Sequence, residues 1–502
     1  MNFLSLKNGS DIRGVACEGG GIPVTLLPEM VIRIAKAFTL WLCRKTGKPS
    51  VRIAVGHDSR ITASDMTEWI TEGITKSGSD VIYTGLSSTP SMFMLLKDEG
   101  FLPCEGSIMI TASHLPFYRN GMKFFVEEGG LEGADITEIL TMAQQGEYFD
   151  EESSLLGALE GESHTFSYLP RYAANLVKLV REKTGETEPL KGLKIVVDAG
   201  NGAGGFFATD VLTPLGADIT GSQFLEPDGY FPNHIPNPEN EEAMHSVCQA
   251  VKNAKADFGI IFDTDVDRAG AVDHNGEEIN RNRLIALISA ILLKEQAGTI
   301  VTDSITSDGL TAFITAKGGK HHRFKRGYKN VINESKRLNE SGEYSPLAIE
   351  TSGHAALKEN YFLDDGAYLI VRILIALAKE AKEGRKITDM IAELPMPKES
   401  EEYRLQFASG ADFKELGATV LADLTAYAKE KGIALATPNY EGVRLCFTGD
   451  VEGWALVRMS LHEPLMPINV ESNHMGGTAN IKEFLREFFA RYDFYDNLNV
   501  LQ

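Results

Sequence analysis

Three aspartates at alternating positions form one of the most chemically suggestive segments of the chain. Asp263, Asp265 and Asp267 directly follow an apolar run, so the loop begins where a buried strand is expected to end. In an extended segment, residues of the same parity point to one face. Carboxylates on one face repel each other unless a cation lies between them, and Mg²⁺ prefers such oxygen ligands. The loop therefore predicts a magnesium site.

Two alternatives apply to this acidic loop. The first is a solvated acidic turn without a ligand, which the preceding apolar run disfavours. The second is a phosphatase of the haloacid dehalogenase type, in which Asp263 would act as the nucleophile. Residues 262–266 suit that chemistry as well. A phosphatase of this type would, however, leave two other polar segments without a function, the serine-containing residues 111–123 and the glutamate-containing residues 350–354.

A serine-containing loop, residues 111–123, is the second candidate. A serine at the end of a strand is well placed to be exposed, and its oxygen can carry a phosphoryl group. Taken alone, a serine at position 113 would more often be a helix-capping or turn residue. A lysine at position 123 would ordinarily be an exposed surface residue. Their combination with His114 and a metal loop favours phosphoryl transfer, with Lys123 available for proton transfer.

These loops follow a repeated pattern of strands and helices. One set of predicted strands comprises residues 51–56, 193–198 and 299–302, and a second set comprises residues 107–111, 258–263 and 346–350. Helical sequence lies between them, for example at 29–44, 168–183 and 283–295. Short strands alternating with helices predict mixed, mainly parallel sheets in three tandem α/β domains. Ligands of such sheets bind beyond the carboxyl ends of the strands, where the second set places residues 111–114, 263–268 and 350–354.

The pattern changes after about residue 396. The acidic segment 398–403 is interpreted as a linker. A strand, a helix at 412–431 and strands at 443–448 and 454–459 follow, which indicates a smaller α+β domain. The predicted domains are therefore 1–165 with the serine loop, 166–278 with the metal loop, 279–396 with the loop at 350–354, and 397–502.

Composition narrows the functional class. The 502 residues exceed what one hydrophobic core usually supports. With 49 basic and 70 acidic residues the net charge is −21, which argues against nucleic acid as a partner. Basic groups for an anionic substrate must then be concentrated locally. No apolar stretch has the length of a membrane-spanning helix, and no secretory signal is visible, so neither a membrane location nor export is expected. Five scattered cysteines without a CxxC pair favour a reduced, cytoplasmic setting.

The sequence resembles the α-D-phosphohexomutase family, which includes phosphoglucomutase and phosphomannomutase. The resemblance runs from residues 10–14 (Ser-Asp-Ile-Arg-Gly) to 458–464 (Arg-Met-Ser-Leu-His-Glu-Pro). Matching segments in between, in the family's order, are 56–60, 88–90, the Ser113 loop, 197–202, 227–234, the Asp263 loop, 350–354 and 364–366.

The resemblance implies four domains around a central cleft and a set of roles. Ser113 would be a phosphoserine whose phosphate completes a Mg²⁺ site with Asp263, Asp265 and Asp267. Arg13, His114 and Lys123 would line the transfer site, and Arg268 would face the phosphoryl group. The implied reaction interconverts hexose 1-phosphate and hexose 6-phosphate, of glucose and/or mannose, with a hexose bisphosphate as intermediate and activator. The chain would act as a monomer or dimer.

Substrate recognition is implied in the second half of the chain. Glu350 and Ser352 would bind sugar hydroxyls. His354 would assist proton transfer or contact the sugar, although a structural role is an equal alternative. Lys329 is a candidate phosphate contact, with an exposed structural lysine as its alternative. Arg458, Ser460 and His462 would hold the non-reacting phosphate.

The chain departs from the family pattern in the phosphate-binding segment 458–464 and in the serine loop. Leu461 and His462 stand where the family usually has glycine and threonine, and Leu115 where it usually has asparagine. Leu461 removes backbone freedom. These changes motivate an alternative function, a sugar-phosphate-binding regulator that has lost turnover. The residues of the transfer step are all present, which favours an active mutase.

Overall fold

The computed structural model describes residues 2–146, 160–410, 412–460 and 463–501. By its internal contacts the chain divides into two units. One contains Met1–Asn280 and Ser352–Asp389, and the other contains Arg281–Thr351 and Met390–Gln502.

The first unit begins with a mixed sheet of eight strands. Its strands are β1 (Lys7–Asn8), β2 (Asp11–Val15), β3 (Arg52–His57), β4 (Asp80–Leu86), β5 (Gly106–Ile110), β6 (Arg119–Val126), β7 (Gly129–Gly130) and β8 (Ser163–Thr165). They lie in the order β1-β2-β6-β5-β3-β4-β8, with β7 beside β6. β3 pairs in parallel with β4 and β5, whereas β6 is antiparallel to β2 and β5. β5, which leads to Ser113, is therefore an interior strand.

Four helices of the described residues accompany this sheet. They are α1 (Pro28–Thr46), α2 (Ala63–Thr75), α3 (Thr89–Lys97) and α4 (Gly133–Gln145). α1 begins with a proline, whose missing N–H would have had no partner within the first turn, and it is capped at its C-terminus by Gly47, which adopts a φ of 69°. α1 contacts α2 and α4, and Phe38 and Ile34 are buried in the core of this sheet.

The second sheet completes the part of the first unit that precedes Arg281. Its elements are α5 (Leu169–Thr184), β9 (Ile195–Asp198), α6 (Glu241–Ala254), β10 (Phe258–Phe262), β11 (Ala269–Val272) and β12 (Glu278–Ile279). The order is β12-β11-β10-β9, with β9 and β10 parallel and the other pairs antiparallel. β10 is buried along its whole length, as expected for a strand covered on both faces.

The second unit contains the third sheet and the C-terminal sheet. The third comprises α7 (Asn282–Glu295), β13 (Thr299–Thr302), α8 (Asp308–Ala316), β14 (Lys320–Arg323), α9 (Tyr328–Glu340) and β15 (Leu347–Ile349). β13 is parallel to both β14 and β15. The chain then contributes β16 (Ala355–Leu357) and α10 (Gly366–Lys382) to the first unit.

The C-terminal part of the second unit is an antiparallel sheet with two helices. It contains β17 (Glu399–Gln406), α11 (Phe413–Glu430), β18 (Ala434–Leu435), β19 (Val443–Phe447), β20 (Gly453–Val457), β21 (Leu465–Ser472) and α12 (Gly477–Phe489). The order is β17-β21-β20-β19-β18. The predicted fold, three α/β domains with mixed sheets followed by a smaller α+β domain, is confirmed. The residue boundaries between these four domains remain predictions.

The predicted repeat is visible in strand pairing. In each of the first three sheets, the strand from the first predicted set pairs in parallel with the strand from the second: β3 with β5, β9 with β10, and β13 with β15. The prediction of a linker at 398–403 is wrong. This segment forms most of β17, an edge strand that pairs with β21 over eight residues. Its glutamates are mostly exposed while Tyr403 is buried, so the acidic composition reflects the solvated face of an edge strand.

Within the described ranges, none of the helices has the length and apolar character needed to cross a bilayer.

Candidate active site

Ser113 lies in the loop that follows β5. Its side chain is almost fully buried and its backbone has a φ of 51°, a conformation that residues with a Cβ rarely adopt. The Ser113 N–H donates to Thr111 Oγ1 at 2.8 Å. Such a conformation persists only where the surroundings enforce it, so the loop holds Ser113 in one defined position.

The hydroxyl of Ser113 contacts residues of the metal loop. Ser113 Oγ donates to Asp263 Oδ2 at 2.9 Å and accepts from Arg268 Nη2 at 2.9 Å. Arg268 Nη2 also donates to His114 Nδ1 at 2.5 Å. Burial and the charges of Arg268 and Arg13 lower the pKa of His114 to about 2. His114 is therefore neutral and acts as an acceptor at this site.

The acidic loop gathers its three carboxylates by a turn. Asp263 follows β10, Val266 N–H donates to Asp263 O at 3.3 Å, and Val266 has a φ of 66°. The expectation of an extended segment with its aspartates on one face is wrong in its geometry, because the chain reverses here. One ligand atom from each of Asp263, Asp265 and Asp267 nevertheless lies within 4.8 Å of the others, and all three residues are buried. The turn therefore brings the three carboxylates together, which the alternating positions in an extended strand were expected to do.

Lys123, on β6, lies between two of these carboxylates. Its Nζ donates to Asp265 Oδ2 at 2.8 Å and to Asp267 Oδ2 at 2.5 Å. Burial alone would lower the pKa of Lys123, but the two carboxylates outweigh it and hold the pKa well above its usual value. Lys123 is thus an ammonium ion in this arrangement, and its role in proton transfer stays a prediction.

The donor set fits a divalent cation. Burial, together with the charges of Asp267 and Asp265, raises the pKa of Asp263 well above its ordinary value. Among the described residues, Asp265 Oδ1 and Asp267 Oδ1 are buried oxygens without a hydrogen-bond partner. Buried polar atoms normally have partners, and carboxylate oxygens are the ligands that a hard cation such as Mg²⁺ takes.

His354 is brought to the same site. Its Nδ1 lies 2.5 Å from Asp364 Oδ2 and 3.9 Å from Asp267 Oδ1. Burial opposes a charge on His354, but Asp364 and Asp267 raise its pKa to about 9. Asp364 is fixed in turn, because its Oδ1 accepts from the Ala355 N–H at 2.9 Å. Ser352 is buried in the same unit.

Arg13 lies on β2 and pairs with Asp11 at 2.9 Å. Its charge lowers the pKa of His114 and opposes the rise in the pKa of Lys123. The structure thus brings Arg13 into electrostatic range of two predicted transfer residues.

Sequence reasoning missed the function of Arg60, although residues 56–60 were among the family-like segments. Its Nη1 donates to Pro116 O at 2.9 Å and Arg119 O at 2.8 Å, and its Nη2 donates to Leu115 O at 2.6 Å and to Ser113 O. The side chain is fully buried, with Asp58 Oδ2 at 3.4 Å from its Nε. One guanidinium thus holds four carbonyls of the serine loop.

The second unit carries the remaining predicted residues. Glu350 is buried and its Oε1 accepts from the Gly327 N–H at 2.5 Å. Arg458 is also buried, which lowers its pKa, and Glu441, Arg326 and Asp303 act on it electrostatically. Lys329 is the second residue of α9 and is half-buried.

Ser460 follows β20, and its Oγ accepts from the Glu463 N–H at 3.2 Å. His462 and its neighbour Leu461 lie outside the described residues.

The three α/β domains, the α+β domain and the buried serine beside a carboxylate triad define a phosphoryl-transfer enzyme of the mutase class. Three family models match the chain: phosphoglucomutase/phosphomannomutase alpha/beta/alpha domain I at residues 5–149, domain II at 170–276 and domain III at 280–396. The chain belongs to the phosphoglucomutase/phosphomannomutase family.

Individual relatives agree with this assignment. A phosphomannomutase/phosphoglucomutase of Pseudomonas putida is 29% identical over 97% of this chain and 96% of its own length. A phosphoglucomutase of Neisseria meningitidis serogroup B is 30% identical over 92% of each chain. The crystal structure of a phosphoglucomutase/phosphomannomutase family protein from Burkholderia thailandensis has a TM-score of 0.78 and 27% identity over 97% of each chain. These relatives lend no support to the regulator or dehalogenase-type alternatives.

Proposed function

We propose that this chain is a phosphohexomutase that interconverts hexose 1-phosphate and hexose 6-phosphate, of glucose and/or mannose. Transfer proceeds through phosphorylated Ser113 and a bound hexose bisphosphate. The observation that carries the proposal is the position of Ser113 Oγ, which contacts both Asp263 and Arg268 inside a buried site. Membership of the mutase family supports it.

The transfer itself needs charge stabilisation more than covalent chemistry. A sugar hydroxyl oxygen attacks phosphorus and its proton passes to a nearby base. The bond between phosphorus and Ser113 Oγ breaks, and Ser113 Oγ takes up a proton from the general acid. Arg268 is already directed at Ser113 Oγ and offsets the charge on the transferring group. Return of the sugar's other phosphate to Ser113 regenerates the enzyme and releases the isomer.

Asp263, Asp265 and Asp267 would hold Mg²⁺, completed by the Ser113 phosphate, and the ion would supply positive charge for the transfer. His114 stays neutral, while Lys123 and His354 carry protons in the arrangement seen here. Lys123 is the proposed general acid, and it serves as a base once a proton has left it.

Roles in substrate recognition are proposed for seven residues. Glu350 and Ser352 bind hydroxyls, and His354 contacts the sugar. Arg458, Ser460 and His462, with Lys329, bind phosphate. The buried carboxylate of Glu350 and the buried guanidinium of Arg458 support these roles, because a carboxylate accepts hydrogen bonds from hydroxyls and a guanidinium donates to phosphate oxygens.

The test is a coupled assay for conversion of glucose 1-phosphate and mannose 1-phosphate into the 6-phosphates, started with the corresponding bisphosphate. Ser113→Ala should abolish turnover and also the mass increase of a phosphorylated peptide containing residue 113. Ser289→Ala is the matched control, because Ser289 Oγ is buried in α7 without a hydrogen-bond partner in the described structure. Equal turnover by Ser113→Ala and the control would refute the serine assignment. Net phosphate release with an acyl-phosphate on Asp263 would instead indicate a phosphatase.

A further inference from the structure

Thr89 contacts the metal loop from a distant part of the sequence. It is the first residue of α3, and its N–H donates to Asp265 O at 2.8 Å. Its Oγ1 donates to Asp265 Oδ2. Thr89 is nearly fully buried, so neither hydrogen bond competes with solvent.

The start of α3 is itself held in place. Ser88 caps the helix by accepting from the Ser91 N–H at 3.2 Å, and Ser91 Oγ accepts from the Ser88 N–H at 3.0 Å. This reciprocal capping fixes the first turn. Thr89 is thus presented to Asp265 from a rigid element.

The two oxygens of Asp265 have different partners. Oδ2 accepts from Thr89 Oγ1 and from Lys123 Nζ. Oδ1 is buried and has no hydrogen-bond partner in the described structure. A carboxylate anchored through one oxygen has its rotation fixed, which leaves Oδ1 as the oxygen available to a cation.

We propose that Thr89 is a positioning residue for the cation site: its hydroxyl anchors Asp265 Oδ2 and thereby presets Asp265 Oδ1 as a ligand. The inference rests on the magnesium site of the proposed function. Hydrogen bonds of this kind to metal ligands typically change metal affinity by about 10–100-fold when they are removed.

Thr89→Val tests the hydroxyl with little change of shape, and it retains the N–H bond to Asp265 O. Calorimetric titration of the full chain with Mg²⁺ alone, without sugar, should give a Kd about 10-fold or more above wild type. Thr89→Ser should return the Kd to within about twofold of wild type, because it restores the donor. At saturating Mg²⁺, kcat of Thr89→Val should recover, since the groups at Ser113 are unchanged.

Thr39→Val is the matched control. Thr39 is a fully buried threonine of α1 whose Oγ1 donates to Ala35 O at 2.8 Å, and its replacement should leave the Mg²⁺ Kd unchanged. A Thr89→Val Kd equal to wild type would overturn the proposal. Equal weakening by Val and Ser would also overturn it, because serine keeps the hydroxyl and should bind Mg²⁺ like wild type if the hydroxyl sets the affinity. If wild type and Asp265→Asn bind Mg²⁺ equally poorly, the magnesium site itself is wrong.

Discussion

Replacing Arg60 by methionine should destabilise the first unit and displace Ser113. The substitution removes the donors to the carbonyls of Ser113, Leu115, Pro116 and Arg119. It also leaves Asp58 buried without the guanidinium 3.4 Å away. Methionine keeps much of the side-chain volume, so the loss is mainly electrostatic.

The size of the effect follows from burial. Removing one partner of a buried ion pair costs about 3–5 kcal/mol, and the carbonyls that lose a donor add to this unless water reaches them. For a domain of about 150–250 residues, each kcal/mol lowers Tm by about 2–4 °C. Because the first unit is larger than this, each kcal/mol shifts its Tm less, and its melting temperature should fall by about 5–10 °C. Activity should fall as well, because misplacing a reacting group by about 1 Å can cost about 100-fold.

Differential scanning calorimetry is the measurement, since a chain with two units can show two transitions. Arg60→Lys should be intermediate: lysine keeps the charge but cannot present a planar fork to four carbonyls. Arg404→Met is the control, because Arg404 is exposed and pairs with Glu402 on the surface of β17. Its loss should cost no more than about 1 kcal/mol. If Arg60→Met melts and turns over like Arg404→Met, the guanidinium does not hold the serine loop.

Two further predictions concern charge. Burial raises the pKa of Glu471 from 4.5 to about 7, so between these pH values the folded state binds a proton that the unfolded state has lost, and stability falls as pH rises. Glu471→Gln keeps an acceptor for Trp454 Nε1 and should gain up to about 3 kcal/mol on wild type between pH 5 and 8. Melting curves against pH check this, with Glu452→Gln as the exposed control. Chelation by EDTA should abolish mutase turnover and Mg²⁺ should restore it in the coupled assay. Undiminished activity in EDTA would contradict the assignment of the aspartate triad.

The repeated architecture could be predicted because its signal is local. Runs such as β10, apolar along their whole length, identify buried strands without knowledge of their partners. The position of the three loops then followed from the rule for ligands of α/β sheets. Segment 398–403 was misinterpreted as a linker because the signal of its strand is not local. An edge strand with one solvated face has the composition of a linker, and only its pairing with β21 distinguishes the two.

The residues that position the site could not be predicted in the same way. Thr89 and Asp265 are 176 residues apart, and Arg60 and Ser113 are 53 apart. Both belong to segments that resemble the family, yet neither has a side chain whose chemistry alone indicates a function. The serine and aspartates stood out because their types suggest a reaction, whereas a positioning residue is defined by its contacts.

The distribution of charge explains how an acidic chain accommodates an anionic substrate. Around Ser113, Arg13 is balanced by Asp11, Arg60 by Asp58, and His354 by Asp364. Three carboxylates face two cations, Lys123 and Arg268, so full ionisation would leave one negative charge in a buried site, and the raised pKa of Asp263 reflects that cost. A divalent cation reverses that sign. Metal binding and acceptance of a phosphoryl group are thus linked by charge as well as by coordination. The residues that orient the carboxylates, Thr89 among them, therefore influence how readily the anion binds.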